Sequence, residues 1–289
     1  MAIDYHKLKN WSFADAERSY TEKDTMLYAL GLGFGADPLD ENQLKFVYEK
    51  NLRALPTMAV ILGFPGFWMS NPETGIDATR ILHGEQGLTL HKPLPAAGTV
   101  IARLRVTRIV DKGVGKGALV FVERTITEKG SDELLATVEQ VTFCRAEGGF
   151  TASGQPGDTP AQPLPPVPEA EPEAACEIAT RPEMALVYRL SGDVNPLHAD
   201  PAVARAAGFP RPILHGLATY GVAGHAILKT WCDYDPARLK SRNTRFSAPV
   251  FPGETIRTEM WKRGSRIHFR ARVVERDTVV LNNGFADIA

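Results

Sequence analysis

Apolar positions along the 289-residue chain fall into two successions of the same kind, each starting with compact or helix-spaced apolar segments and passing into alternating ones. In the first, "LYALGLG" (27–33) reads as the end of a helix and "LPTMAVILG" (55–63) as a second apolar helical segment. Their counterparts are "LVYRLSG" (186–192) and "ILHGLATYG" (213–221). The period then changes to two. "KPLPAAGTVIARLRV", from Lys92, and "APVFPGETIRTEMW", from Ala248, both run through Pro, Gly and Thr into a strand. Val100, Ala102, Leu104 and Val106 would share one face of the first strand, and Ile256, Thr258 and Met260 one face of the second. Further strands are predicted over 118–128, 134–143, 266–275 and 279–288.

Helix boundaries are marked best in the second succession. Thr180 followed by Glu183 has the form of a capping box, predicting a helix from there to about Leu190. Asp200-Pro201 reads as an N-cap and first-turn pair for a short helix closed by Gly208. From Leu214 to about Trp231 the residues are small or apolar nearly all round, the pattern of a helix buried by a wrapping sheet. Helices precede runs of strands and do not alternate with them, so the class is α+β. The architecture expected is a double hot-dog, two tandem repeats of an antiparallel sheet curled around a central helix.

Between the successions the composition changes. Residues 147–173, "EGGFTASGQPGDTPAQPLPPVPEAEPE", are rich in Pro, Gly, Ala and Glu and cannot bury a core, so they read as an extended, partly disordered connector. The domains expected are 1–146, the connector 147–173, and 174–289. The 33 basic and 34 acidic residues leave a formal charge of −1, so no global field recruits nucleic acid or an anionic membrane. No apolar run has the length of a membrane span or of a signal-peptide core. Three widely separated cysteines suggest a reducing compartment, and "GFADIA" at the end is not a peroxisomal address of the Ser-Lys-Leu type, so a cytoplasmic protein is expected.

Candidate chemistry centres on "LSGDVNPLHADP" (190–201), where Asp193, Asn195 and His198 lie in one loop. Alone, the string reads first as a capped turn, Asn195-Pro196 being a turn dipeptide, and is a weak sign of catalysis. A second signal lies downstream. Gly216 opens the apolar helix, and a helix N-terminus offers free N–H groups and positive dipole to a substrate oxygen that glycine lets approach closely. An acid–base pair beside such a donor is the inventory for chemistry next to a carbonyl. Other chemistries lack their motifs. "GLGFG" ends a helix where a dinucleotide site needs to open one, "KGVGKG" (112–117) lacks P-loop spacing, and neither a G-x-S-x-G elbow nor metal-ligand histidine spacing occurs.

The stretch "YRLSGDVNPLHADPAVARAAGFPRPILHGLATYG" closely resembles the signature of the MaoC-like hydratase 2 family. "ILHGEQGLTLHKPLP" and "TRFSAPVFPGETIRTEMWKRGSRIHF" resemble its two-domain members, so the likeness covers nearly the whole chain apart from the connector. The resemblance implies (R)-specific hydration of a trans-2-enoyl-CoA, with no metal and no cofactor, the CoA thioester being the substrate. It implies that Asp193 and His198 activate water, Gly216 N–H polarises the thioester carbonyl, and Asn195 orients the loop or the water. By the same resemblance His83, Gly84, Lys112 and Phe246 contact the acyl-CoA and Glu49 matters for activity. After "LGLG" the first half runs "FGADPLDENQLKFVYE", with no histidine to match Asp193 and His198, so it is expected to bind the acyl tail and to carry no second catalytic site. Homodimerisation is expected from exposed sheet edges. Two alternatives stay open: a related dehydratase acting on an acyl-carrier protein or a short branched acyl-CoA thioester, and a non-catalytic acyl-CoA-binding hot-dog protein.

Overall fold

In the computed structural model, which describes residues 3–289, ten strands join into one sheet. The first half contributes β1 (Ala16–Tyr20), β2 (Ile81–Leu90), β3 (Gly98–Asp111), β4 (Ala118–Glu128) and β5 (Leu134–Cys144). The second contributes β6 (Ala174–Ala179), β7 (Leu239–Phe246), β8 (Thr255–Arg263), β9 (Arg266–Val273) and β10 (Thr278–Ile288). The order is β1-β3-β4-β5-β2-β7-β10-β9-β8-β6, antiparallel at every pairing. Reading outward from the β2–β7 seam gives the same topology on either side, β2-β5-β4-β3-β1 and β7-β10-β9-β8-β6. The duplicated pattern is thus a duplicated fold, the double hot-dog, with the seam fixed by pairs such as Gln86 with Thr244 and Leu88 with Arg242.

Strict alternation makes the long strands. β4 and β9 alternate between buried and partly covered positions along most of their length, as a sheet packed on one face requires. The strands that apolar alternation does not announce are the edges β1 and β6 and the seam pair β2 and β7, whose sequences mix polar and apolar residues on both faces.

The helices divide between the halves. α1 (Tyr5–Lys9), α2 (Glu22–Leu30) and α3 (Glu41–Val47) belong to the first half, and α4 (Met184–Tyr188), α5 (Pro201–Ala206) and α6 (Gly216–Trp231) to the second. α6 is the central helix of the whole molecule. Every residue over 217–228 is buried, which explains its apolar composition on all sides. Part of its cover comes from the first half. A Cβ on Gly221 would lie 2.5 Å from Leu32 Cδ2, and one on Gly224 2.8 Å from Thr57 Cγ2, so glycine is what permits this approach. His225 adds a polar tie, stacking on Phe34 at 3.6 Å while its Nδ1 lies 3.2 Å from Leu32 O.

Three expectations need correction. The apolar segment 55–63 does not make a second central helix; it forms a single 3-10 turn, Pro56–Val60, with Pro at its first position. The chain leaves that turn at Gly63 (φ 62°), where a Cβ would sit 2.2 Å from Ala102 Cβ, so it presses on β3 and cannot extend as a helix. The Thr180/Glu183 capping box does not form. Thr180 Oγ1 instead donates to Glu254 O at 2.7 Å and accepts from Gly253 N at 2.9 Å, which ties the end of β6 to the loop before β8, and α4 starts only at Met184. A capping box does occur at Thr21 and Asp24, opening α2. The third correction concerns the connector, which is held along its course. Asp158 accepts from Lys9 Nζ at 2.8 Å, Tyr5 Oη at 3.0 Å and Ile109 N at 2.8 Å, and Ala170 O accepts from Trp261 Nε1 at 2.6 Å. By contrast Asp200 caps α5 through Ala202 N at 2.7 Å, and Gly208 closes it with φ 87°.

Burial depresses the His225 imidazole to about 4, so it is neutral in the fold, whereas the unfolded chain takes up a proton near 6.5. Stability is therefore unaffected by this group above about pH 6.5 and falls as pH drops from there toward 4, at up to about 1.4 kcal/mol per pH unit. Urea unfolding of wild type and His225→Phe at pH 7.5 and pH 5 should show a smaller acid-induced loss in the variant. Equal losses would contradict the assignment.

Candidate active site at the head of the central helix

The loop between α4 and α5 is shaped by its own side chains. After one 3-10 turn (Arg189–Ser191), Gly192 takes a φ of 131°, and Asp193 Oδ1 then accepts from Asn195 N at 3.2 Å. Asn195 Oδ1 accepts from Leu197 N at 3.0 Å and caps the short turn Pro196–His198. The turn reading of the string therefore holds. Asp193 and Asn195 form turns, and those turns aim His198 inward.

Two hydrogen bonds brace this loop to the segment entering α6. His198 Nδ1 lies 2.9 Å from Ile213 O, and His215 Nε2 lies 3.0 Å from Asp193 O. A carbonyl can only accept, so each of these nitrogens carries the proton. The neutral tautomers follow: His198 keeps an unprotonated Nε2 and His215 an unprotonated Nδ1. The two rings pack face to face at 3.8 Å, tilted by 31°, and Tyr188 lies against His215 at 5.0 Å. Burial lowers the pKa of His198, and it depresses His215 to about 3, with His198 opposing a second positive charge. Both imidazoles are thus neutral at pH 7, and His198 has the lone pair of a general base.

Donor atoms of Asp193, His198 and His215 all lie within 4.8 Å of one another. That is also a spacing metal ligands can have. Stacked rings, however, hold their remaining lone pairs in adjacent planes and do not aim them at one point, so the geometry suits proton transfer better than tetrahedral coordination.

Gly216 is the first residue of α6 and its N–H has no acceptor within the helix. Phe246, at the end of β7, closes over it: a Cβ on Gly216 would stand 3.2 Å from Phe246 Cε1. His83 meets that ring at 4.5 Å, tilted by 55°. His83 and Gly84 sit where β2 bulges against β5, the register shifting between His83 and Glu85, and a bulge re-aims the side chains beside it. His83 Nε2 is enclosed without a protein partner, and burial takes the imidazole down to about 4, partly offset by the Asp193 carboxylate and by hydrogen bonding. The site therefore straddles the seam, with His83 from the first half facing residues from the second.

The structure thus brings together Asp193, Asn195, His198, Gly216, His83, Gly84 and Phe246. Lys112 stands apart in the exposed β3–β4 turn, its Nζ 5.7 Å from the centre of the Phe143 ring, and Phe143 pairs with Leu82 next to His83. Glu49 does not join them. It is exposed in the turn after α3, whose Phe46 packs with Phe34 and Tyr234 around His225, nine residues along α6 from Gly216 and so about 13 Å away at 1.5 Å per residue. The residue that sequence reasoning missed is His215. Its only signal is its place before the helix-opening glycine in "ILHGLATYG"; nothing local shows that it faces His198.

Comparison with known proteins now places these features. Residues 18–146 match the MFE-2 hydratase 2 N-terminal domain, and residues 164–283 match the MaoC like domain. The peroxisomal enoyl-CoA hydratase 2 of Arabidopsis thaliana is 42% identical over 282 residues, spanning 93% of this chain and 90% of that protein. The chain belongs to the MaoC-like hydratase 2 family. A probable enoyl-CoA hydratase 2 from Dictyostelium discoideum is 40% identical across 100% of this chain and 97% of its own length. The crystal structure of a MaoC-like dehydratase from Phytophthora capsici superposes with a TM-score of 0.86 at 35% identity, covering 99% of both chains. For this hydratase 2 chain, as for that structure, the double hot-dog is formed within one polypeptide.

Gly216→Ala should lower turnover by about 10- to 100-fold, because the methyl must displace Phe246 from the donor it covers. Steady-state rates on an enoyl-CoA, with the Tm measured alongside, test this. A fully active Gly216→Ala protein would show that the seating of Phe246 against this donor does not matter to turnover.

Proposed function

We propose that the protein hydrates trans-2-enoyl-CoA to (3R)-3-hydroxyacyl-CoA, reversibly, with the reaction centred on Asp193, His198 and the Gly216 N–H. The observation that carries this is the His198 tautomer: Nδ1–H donates to Ile213 O, which leaves Nε2 unprotonated, and His198 and the Asp193 carboxylate cluster within 4.8 Å of each other and of His215, the residue that precedes Gly216 at the head of α6.

Conjugation with the thioester makes C3 electrophilic and puts negative charge on the carbonyl oxygen when water adds. The Gly216 N–H, reinforced by the helix dipole, stabilises that charge, an effect of about 3 kcal/mol where such donors have been removed elsewhere. The Asp193–His198 pair takes one proton from the attacking water and delivers one to C2, so the pair ends as it began and a hydroxyl and a hydrogen have been added. A single acid–base pair that both activates the water and returns the proton from one face of the enoyl group gives syn addition. Neighbouring titrating groups share protons, so acid and base belong to the pair. His83, Gly84 and Phe246 bound the thioester end, Lys112 offers a cation toward the CoA, and the first half accommodates the acyl tail. Asn195 keeps the loop in register.

Acyl-CoA is the partner this reading requires. Homodimerisation and a cytoplasmic location belong to the same proposal. Its three free cysteines fit a reducing compartment, and no helix among the described residues is long and apolar enough to cross a membrane. The Arabidopsis relative is peroxisomal by name, so localisation of a tagged full-length chain decides that point.

Asp193→Asn should cut kcat on crotonyl-CoA and on a medium-chain enoyl-CoA by about 100- to 10,000-fold. Chiral analysis should find the (3R) alcohol from wild type; an (S) product, or an undiminished Asp193→Asn enzyme, would overturn the proposal. The pH profile is a separate test. Because burial lowers the pKa of His198, the base stays neutral below the ordinary imidazole range, so kcat/KM should hold its plateau on acidification past pH 6.5 and fall only at lower pH. An acid limb centred above 6.5 would contradict this.

A further inference from the structure

His215 is the N-cap residue of α6, a position that usually takes Ser, Thr, Asp or Asn, and its side chain makes no capping bond. The imidazole is 1% exposed and turned the other way, toward the catalytic loop. There it does two things at once. Its Nε2–H reaches Asp193 O at 3.0 Å across 22 residues of sequence, and its face covers the His198 ring at 3.8 Å. His198 is thereby held along two directions, in its plane by Ile213 O at 2.9 Å and across its plane by His215. The remaining nitrogen, Nδ1, is buried and has no protein partner. A helix start that forgoes its own cap and encloses an unpaired acceptor is locally unfavourable, and the compensating contacts are all with Asp193, His198 and Tyr188.

We propose that His215 is a positioning residue of this hydratase, tying the Asp193 main chain to the head of α6 and fixing the plane of the His198 imidazole so that its Nε2 and the Asp193 carboxylate address one water beside Gly216 N–H. His215 touches neither the water nor the thioester in this arrangement. It acts by keeping the acid–base loop and the carbonyl-polarising helix in one frame, although they are separate stretches of chain. The inference rests on the reading of Asp193 and His198 as the reacting pair.

Two variants separate the tie from the stack. His215→Phe keeps an aromatic face and loses the N–H; His215→Gln loses the ring and places an amide N–H near the position of Nε2. With trans-2-enoyl-CoA as substrate, His215→Phe is expected to lose about 10- to 100-fold in kcat, the scale of a misplaced catalytic group, with KM within about threefold of wild type. His215→Gln should recover a substantial part of that loss. Full activity in His215→Phe, or a Gln variant no better than the Phe variant, overturns the proposal. Long-range 1H–15N spectra of the wild-type protein at pH 7 give a reading that needs no variant to fold. His215 should carry its proton on Nε2 and His198 on Nδ1, and the opposite tautomer at either ring overturns it. Asp193→Asn in the same assays separates the two layers. If Asp193→Asn is fully active, the reacting pair is wrong; if it is inactive while His215→Phe is unimpaired, only the positioning role is.

Discussion

Everything in this fold depends on covering one helix. α6 is buried over 217–228, and with large apolar side chains such as Leu217, Val222, Ile227 and Leu228 contributing roughly 1.5–3 kcal/mol each on burial, exposing any side of it would be costly. The second half cannot enclose it alone. Leu32, Phe34 and Thr57 of the first half close the remaining sides, and Gly221 and Gly224 let them approach. The first half has in return no comparable helix of its own, only the turn Pro56–Val60, and it spends the apolar faces around that turn on the shared core. The two repeats are therefore halves of one packing problem, joined at the β2–β7 seam.

The same constraint makes the site. Burying α6 fixes its N-terminus beside the seam, where Gly216 presents a free N–H under Phe246 of β7 and within reach of His83 on β2. The Asp193–His198 loop is then braced against the helix entry by two crossed bonds, His198 to Ile213 O and His215 to Asp193 O. In both, a backbone carbonyl selects the tautomer. Burial keeps the imidazoles neutral, and at His198 it outweighs the opposing pull of the Asp193 carboxylate, so an unprotonated imidazole is available at pH 7. Asymmetry between the halves follows as well. The first half spends no residues on an acid–base loop; what it supplies is β2, with its bulge at His83 and Gly84, and cover for α6.

Much of this was legible before any coordinates. Alternation located the long strands β4, β5, β9 and β10 to within a few residues, because a sheet packed on one face must alternate. Apolar residues all round identified α6, and the D-x-N-x-x-H loop with the glycine opening that helix marked Asp193, Asn195, His198 and Gly216 as one group. The misses come from contacts made far away in sequence. Thr180 and Glu183 have capping-box spacing, but the Thr180 hydroxyl is taken by the loop before β8, a competition that sequence spacing does not reveal. Residues 55–63 are as apolar as a helix core, and Pro56 with the Gly63 exit against Ala102 turns them into a single tight turn. The Pro-rich connector has no core of its own, yet Asp158 and Ala170 are hydrogen-bonded to elements far away in sequence.

By itself, then, the sequence determined the periodicities, the duplication, the buried helix and the chemical inventory of the loop, because each depends on residues within one turn or one strand of each other. Only tertiary structure decided which groups meet. That His83 faces Phe246 across the seam, that His215 turns away from its own helix to hold Asp193, and that Glu49 lies at the far end of α6 are matters of contact between chain segments tens to hundreds of residues apart. Such contacts follow from the closure of the sheet around a helix that both halves must cover, and no local pattern encodes that closure.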